Sequence, residues 1–109
     1  MNRQQLGEFE EIVLLTVGIL YHEAYAVAMI DEMEDRLGRK VSIGALQTVL
    51  RRLESKGYLT SAFGEATSVR GGKRKRYFNL TSMGSRALRE TQEQRVHLFK
   101  AIPRVAFQK

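Results

Sequence analysis

A chain of 109 residues with 43% hydrophobic content has enough apolar surface for one modest core, not two, and too much of it for a disordered chain. It has no cysteine, which excludes disulfides and thiolate metal sites. The net charge of +6 is unevenly placed: residues 1–40 hold eight acids against four bases, whereas residues 41–109 hold fourteen bases against four acids. A polyanion-binding face built from the second half is the direct reading of that asymmetry, and an acidic first half argues against attachment to an anionic membrane. The N-terminus has no apolar signal-peptide core and no run is long enough to cross a bilayer, so a cytoplasmic location is expected.

In chain order, apolar residues at Phe9, Ile12, Val13, Thr16, Ile19 and Leu20 recur with helical period. Glutamates occupy the first turns, where the helix dipole favours them. A second helix is expected from about Ala24 to Leu37, with Ala26, Met29, Ile30, Met33 and Leu37 inward and Gly38 as its stop. Ser42 is a good N-cap for a third helix, in which Ile43, Leu46, Val49, Leu50 and Leu53 form an apolar stripe that ends at Lys56-Gly57. The opposite face presents Gly44, Thr48, Arg51 and Ser55, with Ala45, Arg52 and Gln47 at its margins.

After Gly57 the pattern becomes β-prone. Residues 58–63 and 75–80 read as two strands of a hairpin, with a turn at Gly71-Gly72. Between Val69 and Phe78 lie five cations: Arg70, Lys73, Arg74, Lys75 and Arg76. A solvated turn needs glycine but not five positive charges, whereas each cation set against a phosphate releases a condensed counterion. Strand alternation turns part of Lys75 and Arg76 away from any such partner. Thr81 or Ser82 then caps a fourth helix reaching about Ile102, where Pro103 stops it and leaves a loose tail.

The order α-α-α-β-β-α is that of a winged helix-turn-helix: mainly α with a small β-hairpin, residues 1–80 forming the DNA-binding region. Residues 81–109 add a C-terminal helix and short tail within the same structural unit. In such a fold the third helix enters the major groove and the hairpin lies along the backbone or the adjacent minor groove. The candidate DNA contacts are therefore Ser42, Gly44, Ala45, Gln47, Thr48, Arg51 and Arg52 on the third helix, and Arg70, Lys73, Arg74, Lys75 and Arg76 on the wing. Helix residues would read base edges, and wing cations would supply affinity that carries little sequence information.

Several phrases carry a family likeness. They are Leu6-Gly7-Glu8-Phe9-Glu10-Glu11, Glu23-Ala24-Tyr25-Ala26-Val27, Val41-Ser42-Ile43-Gly44-Ala45-Leu46 and Arg52-Leu53-Glu54-Ser55-Lys56-Gly57-Tyr58-Leu59. Gly64-Glu65-Ala66-Thr67 with Arg70-Gly71-Gly72-Lys73-Arg74-Lys75-Arg76-Tyr77-Phe78, then Leu80-Thr81-Ser82-Met83-Gly84, complete the set. In this order, over residues 6 to about 90, they resemble the PadR family of bacterial transcriptional regulators, in its short form with a single C-terminal helix. The resemblance implies a homodimer that binds double-stranded DNA at an inverted-repeat operator, represses transcription and is released by a small effector. It also implies a C-terminal helix packed on its mate, for which Leu88, Leu98, Phe99 and Ile102 are the candidate contacts. Gln47 stands where the family commonly has tyrosine, and Ala26 where it has glycine. Some short members bind flat aromatic compounds between paired tryptophans. This chain has none, which leaves Phe99 as the stacking surface for a small aromatic effector if it is not given to dimer packing.

Other classes are weaker. His22 and His97 have no ligand-spaced neighbours, so no metal or cofactor is expected. No nucleophile constellation or complete phosphate loop suggests an enzyme. A winged helix that meets protein instead of DNA is the alternative; it would more often expose an apolar patch where this chain has a polar third-helix face and a basic wing.

Overall fold

The computed structural model describes residues 6–64 and 74–108. Helix α1 spans Glu8–Ile19, α2 Ala26–Leu37 and α3 Ile43–Ser55; strands β1 (Leu59–Phe63) and β2 (Arg76–Leu80) follow, then α4 (Ser82–Ala101). The chain is thus mainly helical with one antiparallel hairpin, the winged-helix order. Arg70, Lys73 and the Gly71-Gly72 turn lie outside the described residues.

The core is built where α1, α2, α3 and the base of the hairpin meet. Val13, Leu14 and Val17 of α1 face Met29 and Met33 of α2 and Leu46, Val49, Leu50 and Leu53 of α3, with Tyr58, Leu59 and Phe78 closing the side toward the wing. Two details of α1 differ from its sequence pattern. Leu14 and Val17 are fully buried, while Ile19, placed inward by its spacing, is 48% exposed at the end of the helix. Ile19 lies on the same side of the helix as Leu15, four positions earlier and 47% exposed, whereas Thr16 and Val17 of the same turn are buried.

Helix α2 begins at Ala26, two residues later than its pattern suggests. Ala24 lies outside the helix, fully buried, and its carbonyl accepts a 2.9 Å hydrogen bond from the Phe78 backbone N–H. That bond pins the α1–α2 connection to β2. At the start of α3, Ser42 Oγ accepts from the Ala45 N–H at 3.1 Å, as its cap position requires. Ile43, counted in the inward stripe, is 46% exposed because the first turn of α3 stands clear of the core.

The hairpin register pairs Leu59 with Leu80, Ser61 with Phe78 and Phe63 with Arg76. Alternation puts Leu59, Ser61, Phe63, Arg76, Phe78 and Leu80 on one face, the face that meets the core at Leu59 and Phe78. The junction into α4 is tight. Thr81 Oγ1 donates to the Gly57 carbonyl at 2.6 Å and accepts from the Gly84 N–H at 3.0 Å. A Cβ on Gly84 would sit 2.2 Å from the Tyr58 carbonyl oxygen, so only glycine lets α4 start so close to β1.

Helix α4, about 30 Å long by its 20 residues, packs Ala87 and Leu88 on the core and then leaves it. All residues from Gln92 to Ala101 are exposed. Pro103 ends α4, yet the segment after it is not loose: Arg104–Phe107 forms a 3-10 turn that brings the Phe107 ring to 5.8 Å from that of Phe99. The apolar residues Val105 and Phe107 give the tail a reason to fold back.

Candidate nucleic-acid interface

Helix α3 is clamped from behind. Its inward residues are packed, and its C-terminal end is tied to α1 through Glu10, a carboxylate only 7% exposed. Glu10 accepts from the Gly7 N–H at 2.9 Å, capping α1, and from Lys56 Nζ at 2.8 Å. Arg52 Nη1 lies 3.9 Å from the same carboxylate. Burial opposes the charged form of Glu10, but the hydrogen bonds from Lys56 and Gly7 and the charges of Lys56 and Arg52 outweigh it and hold its carboxyl below the ordinary carboxylate range.

This arrangement divides the sequence-derived residues. Gly44, Ala45, Gln47, Thr48 and Arg51 are exposed on the outer face of α3. Space beyond Gly44 is open, with nothing within 4 Å of a notional Cβ. The Ser42 hydroxyl is engaged as the helix cap, and the Thr48 hydroxyl donates to the Gly44 carbonyl at 3.0 Å, which leaves its lone pairs outward. Among the described residues no carboxylate pairs with Arg51. Arg52 points the other way, toward α1 and Glu10, and stands apart from that group.

The base of the wing comes alongside α3. Tyr25 at the start of α2, Gln47 and Arg51 of α3, and Arg74, Lys75 and Arg76 of the wing border one open groove. Aromatic rings position the cations: Lys75 Nζ sits 4.3 Å above the Tyr25 ring, while Arg74 and Arg76 lie 5.2 Å and 4.9 Å from the centre of the Phe63 ring. Tyr25 is itself steadied by an edge-on contact with Tyr77, ring centres 5.6 Å apart. Tyr25 and Phe63 were not among the sequence-derived site residues. The signal was present in the interleaving of aromatic and basic residues, but the pairing of Tyr25 with Lys75 spans fifty positions and emerges only on folding.

At the far end of the molecule, Leu98, Phe99 and Ile102 are 68%, 64% and 40% exposed, and Val105 and Phe107 extend the same apolar surface. Leu88 is not part of that surface; it is half-buried against the core of its own chain. Among the described residues no three His, Cys, Asp or Glu side chains gather as metal ligands, and no helix is long and apolar enough to cross a membrane.

A three-helix body with an exposed polar third helix and a cationic two-stranded wing beside it defines a winged-helix regulator. The chain belongs to the transcriptional regulator PadR-like family, whose model matches residues 13–90, and it is a transcriptional regulator rather than an enzyme. A PadR family transcriptional regulator from Eggerthella lenta is 28% identical, covering 94% of this chain and 88% of its own, with a TM-score of 0.70. A PadR-like transcription factor from Bacteroides fragilis is 27% identical over 84% of each chain, with a TM-score of 0.71. Bacillus subtilis PadR, solved with operator DNA, shares the fold at a TM-score of 0.64 and 16% identity, covering 78% of this chain and 46% of its own. No curated protein sequence matches the chain significantly.

Proposed function

We propose that this regulator is a homodimer that binds an inverted-repeat operator in double-stranded DNA and represses transcription by occupying it. The observation that carries the reading is the groove itself: the exposed Arg51 and the amide of Gln47 lie on the same opening as Arg74 and Lys75. Arginine matches the acceptors of a guanine edge and glutamine those of an adenine edge, so Arg51 and Gln47 are the residues that read sequence. Ala45 and the Thr48 methyl supply apolar contact to thymine methyls, Gly44 admits the backbone closely, and the free N–H groups of the first turn beside Ser42 take a phosphate. Arg74 and Lys75, with Arg70 and Lys73 of the same basic run in the sequence, set affinity and salt dependence. Arg52 supports α3 from behind.

The dimer rests on the apolar surface of Leu98, Phe99, Ile102, Val105 and Phe107, carried on a helix half that has no core of its own to cover. Two such chains present two α3 helices to half-sites about one turn, roughly 34–36 Å, apart. Release by a small effector is supported by a cleft of about 800 Å³ between the C-terminal end of α3 and the side of α4, bordered by Leu6, Lys56, Tyr58, Met83, Glu90 and Gln94. A ligand there would touch the end of the recognition helix and the helix that carries the dimer surface at once.

Fluorescence anisotropy on the chain's own upstream DNA against a scrambled duplex, across a salt series, tests the proposal. It predicts tight, salt-steep binding that favours the upstream fragment. Equal or absent binding at low salt would overturn it and favour a winged helix that meets protein.

A further inference from the structure

One carboxylate stands on the groove where a DNA-facing surface should have none. Glu54 follows Gln47 and Arg51 by seven and three positions on α3, borders the same opening and keeps 33% of its side chain exposed. Left alone it would repel the phosphate backbone. It is not alone. Its Oε2 accepts a 2.6 Å hydrogen bond from the Ser61 hydroxyl, and the oxygen of that hydroxyl accepts from Arg76 Nε at 2.9 Å. A second guanidinium nitrogen of Arg76 lies 3.9 Å from Glu54 Oε1, and the guanidinium also lies over the Phe63 ring. One relay thus joins α3, β1 and β2.

The hairpin register says why Arg76 is the residue caught. It shares its face with Leu59 and Phe78, which are buried, whereas Lys75 takes the opposite face and rests on Tyr25. The register carries Arg76 toward the third helix, where Ser61 and Glu54 hold its guanidinium.

We propose that Arg76 is a positioning residue and not a phosphate contact: through Ser61 it is held as the counter-ion of Glu54, which sets the wing against the recognition helix and masks the carboxylate. This rests on the DNA-binding reading for its consequence, but the relay itself exists without DNA. Two effects follow. Arg76 releases no counterion on binding, because it is neutralised already. Removing the Glu54 charge frees Arg76 to meet a phosphate.

The test has two arms. In the first, binding to a specific duplex is followed by anisotropy over a NaCl series for wild type, Arg76→Ala, Glu54→Gln, Ser61→Ala, the double variant Glu54→Gln/Arg76→Ala, and Lys75→Ala as the comparison. One phosphate contact contributes about 0.9 to the slope of log K against log salt. Lys75→Ala should flatten the slope by about that amount, again one phosphate's worth. Arg76→Ala should weaken binding with the slope unchanged. Glu54→Gln should steepen it by about 0.9 and Ser61→Ala by part of that, and the double variant should return to the wild-type slope. A slope flattened by Arg76→Ala alone, or left unmoved by Glu54→Gln, overturns the proposal.

The second arm uses free protein. The Nε–H resonance of Arg76 should be resolved and slow to exchange in ¹⁵N NMR of the wild type, and lost to exchange in both Ser61→Ala and Glu54→Gln while the amide spectrum stays folded. Fast exchange in the wild type refutes the relay whatever the DNA result. A protected resonance in a protein that binds no duplex refutes the DNA reading while the relay stands.

Discussion

Replacing Glu10 by glutamine removes one charge and one acceptor oxygen with almost no change in volume, so it tests the carboxylate that fastens α1 to the end of α3. The carboxylate accepts from Lys56 Nζ at 2.8 Å and from the Gly7 N–H at 2.9 Å. Glutamine keeps one acceptor oxygen, so one of these bonds is lost and the other loses its charge assistance; with bonds to a charged group contributing roughly 1.5–3 kcal/mol and neutral ones about 0.5–1.5, the cost is about 2.5 kcal/mol. Lys56 is 26% exposed and Arg52 53%, and solvent screening lowers the total to about 1.5 kcal/mol, with almost nothing from Arg52. In a domain of this size that is a fall in Tm of roughly 6–12 °C at pH 7.

The pH dependence follows from the sign of the shift. The folded state holds the Glu10 carboxyl below its ordinary carboxylate value, so the native state binds fewer protons than the unfolded one. The stabilisation is complete above the unfolded value and is lost as pH falls through the lower folded value. Thermal melts by circular dichroism at one protein concentration, from pH 7 downward, should therefore show a wild-type advantage that is full at neutral pH and closes in acid. An advantage that persisted undiminished well below the folded pKa would refute the electrostatic account, and no advantage at pH 7 would refute the clamp.

Other outcomes are expected from the same geometry. Arg51→Ala should reduce discrimination at particular base pairs by roughly 1–3 kcal/mol while leaving non-specific affinity close to wild type, as read by competition among single-base operator variants. Leu98→Glu should dissociate the proposed dimer in sedimentation velocity and weaken operator binding with it, because the charge enters the apolar surface at the end of α4. Gly84→Ala should cost about 3 kcal/mol, seen as a lower urea midpoint, since the new methyl meets the Tyr58 carbonyl and the backbone must move.

Local chemistry made much of the fold legible. Ser42 was readable as a cap because a short hydroxyl before an apolar period has few other uses, and the apolar stripe of α3 follows from its spacing. What stayed hidden depends on distance in sequence. Three acids in the first turn of α1 look alike, but Glu10 is buried and bound to Lys56, forty-six positions away, Glu11 is turned to Arg95 of α4, and Glu8 stays exposed. Arg52 reads as one more cation of the third helix until α1 is packed behind it. Ile19 and Leu14 are equally apolar, and only the place where α2 and α3 cross α1 decides which is buried. In the wing, alternation warned that Lys75 and Arg76 would diverge, but not which one would turn to α3; that was settled by the register pairing Phe63 with Arg76. Pro103 correctly marks the end of α4, whereas the turn beyond it needs Phe99 to be in place before Phe107 has anything to touch.

Hydroxyl-radical footprinting of the chain's own upstream DNA bears most directly on the central claim, that α3 and the wing of two chains grip one operator. The account predicts two protected patches related by a dyad, centred about one helical turn apart, with Arg51→Ala weakening both alike. A single unsymmetrical patch, or uniform protection indifferent to sequence, would contradict it.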